Sequence, residues 1–172
     1  MDSLFVKDMI KKNIIDDHIN IMGIAKSLGI QITLDEQLTD LATIRTGIEN
    51  KPVITLRADS DKQTKYTLMV IAMADYILTP KKVKTTGISY DLFFVDDIFA
   101  HRQSYQMLLA TRLAFPEPII KQLCNQHLYS GILDYAKFVA ESNYLSTFIR
   151  SCIDDSAALF LVKNFADLPQ NS

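Results

Sequence analysis

Asp97 and His101 are spaced for chemistry. They stand four positions apart, so on a helix they share a face, where a carboxylate and an imidazole could hold a metal ion or pass a proton. A metal site would need further ligands, and Asp75 and Asp96 are the candidates. The plainer alternative is a surface ion pair, or a helix-start acid beside a polar histidine. His18 and His127 have no Cys, His or carboxylate at ligand spacing and read as surface or structural residues. Cys124 and His127 could suggest a nucleophile and its base, but three-residue spacing alone does not activate a thiol. No oxyanion element or orienting group accompanies them. The chain has no P-loop and no GxGxxG, and its 5 glycines leave little material for a phosphate cradle.

Lys81, Lys82 and Lys84 form the one basic cluster, in the turn-rich run KKVKTTG after Pro80. Such a run could meet an acidic partner protein or a phosphate backbone, or could simply be solvated. Residues 130–153 have a helix-turn-helix look. There Asp134 and Glu141, with Asp154 and Asp155 beyond, offset Lys137 and Arg150, so the phosphate footprint expected of a DNA binder is thin. The net charge of −2 also gives no overall attraction to nucleic acid.

The elements that would position these residues follow from periodicity. With 172 residues, 48% of them hydrophobic, one domain with a substantial core is expected over 1–172. Leu4, Phe5, Met9, Ile10 and Ile14 mark an amphipathic helix. Asp16 and Asp17 could cap a second helix over 17–28, which Gly29 ends. Alternation at Ile30, Ile32 and Leu34, and the stretches Leu41–Ile48 and Pro52–Arg57, predict a small antiparallel sheet of about three strands within 30–57. Asp59, Ser60 and Asp61 cap a long apolar helix that carries Asp75. Ile88, Tyr90, Leu92 and Phe94 suggest a further extended segment. A helix starting at Asp96–Asp97 runs to Phe115, so 61–115 is read as the central helices. Residues 118–168 read as short helices with breaks near Ser130–Gly131, Glu141–Asn143 and Asp154–Ser156. The class is α+β, mostly helical, with a helical C-terminal end.

The first residues, MDSLFVKDMIKKNIIDD, lack a signal-peptide pattern. The apolar stretch Tyr66–Leu78 is too short to span a bilayer. Two distant cysteines without a CxxC pattern read as reduced, packed thiols. Together these predict a cytoplasmic protein with no membrane association.

The order of motifs resembles a known family. "IAKSLGI", the small sheet, "ITLRADSDKQTKYTL", the apolar helix and "YQMLLATRLAFP" follow one another as in the ImmA/IrrE metallopeptidase-like proteins. Tyr66, Thr67, Leu68 and Met69 match the family's Phe-Thr-Leu-Ala run, and "LDYAKFVAESNYLSTFIRSCI" resembles its helical end. The likeness spans about Ile19 to Ile153. It implies a zincin-like fold, in which an H-E-x-x-H helix holds zinc and a glutamate from a later helix supplies the third ligand.

This chain departs from that pattern at each ligand. Counting from Thr67–Leu68, the H-E-H positions fall on Val70, Ile71 and Ala74. Counting back from Pro116, the glutamate falls near Tyr105. None of the first three can bind zinc or take a proton. A one-residue shift brings Asp75 to the second histidine position but leaves Ile71 and Ala72 at the other two. The resemblance therefore implies a vestigial groove at Val70, Ile71, Ala74, Asp75 and Tyr105, with no catalytic residue, metal or cofactor.

Members of that family sit in phages, prophages and mobile elements, beside helix-turn-helix repressors. The implied role is a non-catalytic regulator that binds a protein partner such as a repressor, toxin or host factor. Lys81, Lys82 and Lys84 are the candidate contact residues, and nucleic acid is the less favoured partner. The alternatives are a metal-dependent hydrolase rearranged around Asp75, Asp97 and His101, a DNA-associated transcription regulator, and a structural helical domain whose likeness is coincidental.

Overall fold

The computed structural model describes residues 3–16, 18–91, 105–116, 118–119, 128–129 and 132–133. The chain opens with α1 (Ser3–Lys12), whose Val6 and Met9 face inward. A short antiparallel hairpin follows, β1 (Ile14–Ile15) with β2 (His18–Ile19). The helix expected from residue 17 thus starts later, as α2 (Ile21–Ser27). The β-branched isoleucines favour strand, and Asp16 takes a left-handed φ of 48° that helps reverse the chain. Asn20, rather than Asp16 or Asp17, is the cap, with its Oδ1 accepting from the Gly23 N–H at 2.9 Å.

Gly29 ends α2 as its type predicts. It sits at φ +69°, where the glycine hydrogen costs nothing and a β-carbon would be strained. The Gly29 N–H donates to the Lys26 carbonyl at 3.0 Å and the Ile30 N–H to the Ala25 carbonyl at 2.9 Å. This double closure satisfies carbonyls that the helix end would otherwise leave open.

The main sheet contains β3 (Gln31–Asp35), β4 (Ala42–Thr46), β5 (Pro52–Arg57) and β6 (Ile88–Tyr90), in the order β3-β5-β4-β6. It is mixed, not antiparallel. β4 pairs antiparallel with β5 and β6, whereas β3 lies parallel to β5, with Ile32 beside Ile54 and Leu34 beside Leu56. Alternation identifies which face of a strand is apolar but not which neighbour it chooses. β5 therefore inserts between its sequence neighbours β3 and β4. The apolar face carries Ile54, Leu56, Ala42, Ile44 and Tyr90, all buried.

That face is covered by α3 (Lys62–Leu78), which packs against β4 and β5 and, on another side, against α5 (Tyr105–Ala114). Residues 62–78 contain no glycine or proline, and Leu68–Ala74 are all buried, so this is a core helix rather than a surface one. Asp61 caps its start. Its Oδ1 accepts from the Thr64 N–H at 2.9 Å and its Oδ2 from the Thr64 hydroxyl at 2.6 Å. These bonds hold the Asp61 carboxyl below its usual range. Asp61→Ala is expected to cost about 1 kcal/mol in urea unfolding, and Asp61→Asn much less. Equal losses from both would show that the cap bonds contribute little.

α3 stops at Thr79 because the residue before a proline is driven out of helical conformation. Pro80 then occupies the first turn of α4 (Pro80–Thr85), where its missing N–H is harmless. The segment read as turn-rich is thus a short helix, consistent with the good helix propensity of lysine.

Further along, β7 (Leu128–Tyr129) and β8 (Ile132–Leu133) pair antiparallel on either side of positions 130–131. The Ser-Gly pair read as a helix break is flanked by apolar and aromatic residues, a hairpin pattern. The rest of the helical reading for 118–168, beyond 118–119, lies outside the described residues. So do Leu92, Phe94, Asp96, Asp97, His101, Cys124 and His127. Among the described residues, no helix is long and apolar enough to cross a membrane.

Candidate functional site

α3 presents one carboxylate to an otherwise apolar interior. Asp75 lies one position beyond the run Leu68–Ala74 and is only 9% exposed. Burying a lone carboxylate is costly, so its environment must supply donors. Two side chains do so. The Tyr90 hydroxyl on β6 donates to Asp75 Oδ2 at 2.6 Å, and the Gln106 Nε2 on α5 donates to the same oxygen. Asp75 therefore ties the central helix to β6 and to the neighbouring helix. Its main chain has a separate role: the carbonyl accepts from the Thr79 N–H at 2.7 Å and from the Thr79 hydroxyl at 3.0 Å, closing the end of α3.

The electrostatics of this cluster have opposing parts. Burial pushes Asp75 above its usual carboxylate range, while the bonds from Tyr90 and Gln106 and the charge of Lys82 pull it down. Tyr90 is pushed far up by burial and by the adjacent carboxylate, so it stays a neutral donor. The arrangement suits a fixed, hydrogen-bonded carboxylate at the junction of three elements.

The residues singled out from the sequence are placed as follows. Val70, Ile71 and Ala74 are each 0% exposed on α3, in contact with the apolar core and with no opening to solvent. Tyr105 does not join them. It opens α5 and is 84% exposed, because the helix turns its next residue, Gln106, toward Asp75 instead. Lys81, Lys82 and Lys84 are all exposed on α4, whose one buried residue is Val83. α4 packs against β4 and α3, and Lys82 lies close enough to act on Asp75. Asp97 and His101 lie outside the described residues. Among the described residues, no three His, Cys, Asp or Glu side chains cluster at metal-binding distance.

Sequence reasoning missed Tyr90 and Gln106 as members of this site. The signal was present in part. An aspartate inside an apolar helix demands partners, and Tyr90 has the phase of a core-facing strand residue. Nothing in the spacing named Gln106, which lies 31 positions from Asp75.

No protein-family model, curated protein or solved structure matches this chain. The described residues form an α+β fold with a small mixed sheet.

Proposed function

We propose that this chain is a non-catalytic, zincin-like regulator of a phage, prophage or mobile element. It acts in the cytoplasm by binding a protein partner, such as a repressor, toxin or host factor, and uses no metal or cofactor. The kind of system comes from the likeness to ImmA/IrrE proteins. The observation that carries the binding surface is the exposed lysine set of α4, which leads directly into β6, the outer strand of the main sheet among the described residues. A basic rim beside an edge suits an acidic, extended segment of a partner, captured by strand addition and steered by charge. The interior of α3 supports a role without catalysis, because the positions that hold metal and base in the resembled family are here solid apolar core.

The test uses the double variant Lys81→Glu/Lys84→Glu. Lys82 is retained, since its charge also acts on the buried Asp75. Proteins from the host held by the immobilised chain are identified by mass spectrometry, and the chosen partner is purified for kinetics. The variant is expected to associate about tenfold more slowly at low salt, with a flatter salt dependence and nearly unchanged melting temperature. Unchanged association would place the interface elsewhere.

A further inference from the structure

The opposite edge of the main sheet, β3, is open in a particular way. The Asp35 carbonyl accepts from the Ala58 N–H at 3.0 Å, so the main chain of Asp35 faces β5. Strand alternation turns Gln31 and Thr33 the same way and leaves the N–H and C=O of Ile32 and Leu34 aimed off the sheet. Among the described residues no strand covers this edge. Residues 31–35 contain no proline or lysine to blunt this edge, and their single charge, Asp35, stands at the strand's end. Leu34 lies on the apolar face beside Leu56, yet is 63% exposed.

The strand is also complementary to itself. We propose that two copies of this chain pair antiparallel through β3, about a twofold axis at Thr33, and join their sheets into one. In that register Ile32 of one copy faces Leu34 of the second. The two residues exchange both main-chain hydrogen bonds, and the symmetry repeats the exchange. Leu34 is thereby covered by an apolar neighbour on the same face. On the polar face Asp35 meets the neutral Gln31, and the two Asp35 carboxylates lie at opposite ends, so like charges do not oppose each other.

Other registers fit less well. A one-residue slip sets outward groups against inward ones. Centring on Ile32 requires the Ile30 N–H, which the Ala25 carbonyl already takes. Centring on Leu34 places Glu36 against Ile32.

The register makes a sharp test possible. Sedimentation equilibrium across a concentration series should show a mass rising from 19.5 kDa toward twice that value. Leu34→Lys should hold the chain at the monomer mass, with a melting temperature close to that of the parent chain diluted into its monomeric range, because the side chain is exposed and a lysine guards an edge. Thr33→Cys should form a disulfide-linked dimer on mild oxidation. Directly opposed residues of a non-hydrogen-bonded pair have Cα atoms about 4.5 Å apart, within disulfide range. Gln31→Cys, which faces Asp35, should form no more than the unsubstituted chain, which controls for Cys124 and Cys152. A chain that stays monomeric up to its solubility limit overturns the proposal. So does a dimer that survives Leu34→Lys, or one that cross-links as readily through position 31 as through 33. These outcomes are independent of the lysine surface on α4.

Discussion

Replacing Ala74 with aspartate is expected to destabilise the chain by about 3–5 kcal/mol, the cost of an uncompensated charge in a core. Ala74 is 0% exposed, about one turn before the end of α3, and the neighbouring positions Val70, Ile71 and Met73 are also fully buried. The new carboxylate would have to be held neutral, or the helix would have to shift to bring in water. With total stabilities of about 5–15 kcal/mol typical for domains, such a loss leaves a marginal protein. Gln63→Asp is the matched control. It places the same charge on an exposed position in the first turn of the same helix, where the helix dipole favours it. Urea denaturation should show a large loss for Ala74→Asp and almost none for Gln63→Asp. A loss below about 0.5 kcal/mol for Ala74→Asp, the size of an ordinary surface change, would mean that this face of α3 is open to water.

The second large effect is at Asp75. Asp75→Ala removes the oxygen on which Tyr90 and Gln106 both converge, and an expected loss of about 2–4 kcal/mol follows from leaving those donors without it. Asp75→Asn keeps a carbonyl acceptor of the same shape and removes a charge that burial disfavours. It should lie within about 1 kcal/mol of the parent chain.

The two proteins should also differ in pH dependence. Burial raises Asp75 above its usual 3.8, so the folded chain holds this proton more tightly than the unfolded chain does. The contribution of Asp75 titration to stability is then complete below 3.8 and is lost as pH rises through the raised folded value. Relative to Asp75→Asn, the parent should gain stability as pH falls through that window. Denaturation midpoints measured across acidic pH would reveal this, and a constant difference would show that burial does not perturb Asp75.

The parts of this fold that the sequence announces are those set by local chemistry. Asp61 and the uninterrupted apolar run after it mark α3, Gly29 marks the end of α2, and Pro52–Arg57 marks β5 to the residue. Features that depend on distant partners were hidden. The parallel pairing of β3 with β5 leaves no trace in the alternation of either strand. The hairpin at Ile14–Ile19 stands where the sequence places the end of one helix and the capped start of the next, because Asp16 and Asp17 suit a cap as well as a turn.

The same division holds for the candidate site. Asp75 stands out as a carboxylate among apolar residues, whereas Tyr90 and Gln106 reach it only through the packing of β6 and α5 on α3. Counting back from Pro116 lands near Tyr105, one position short of Gln106. A one-residue error on a helix rotates a side chain by about 100°, enough to move it from the buried side to the solvent.

The central claim is that this chain works by recognition rather than by metal chemistry. The most direct measurement is elemental analysis of untagged protein purified without chelators. The account predicts zinc well below one ion per chain, unchanged when zinc is supplied during purification. One tightly held zinc per chain, released by a chelator together with a peptidase activity, would contradict it.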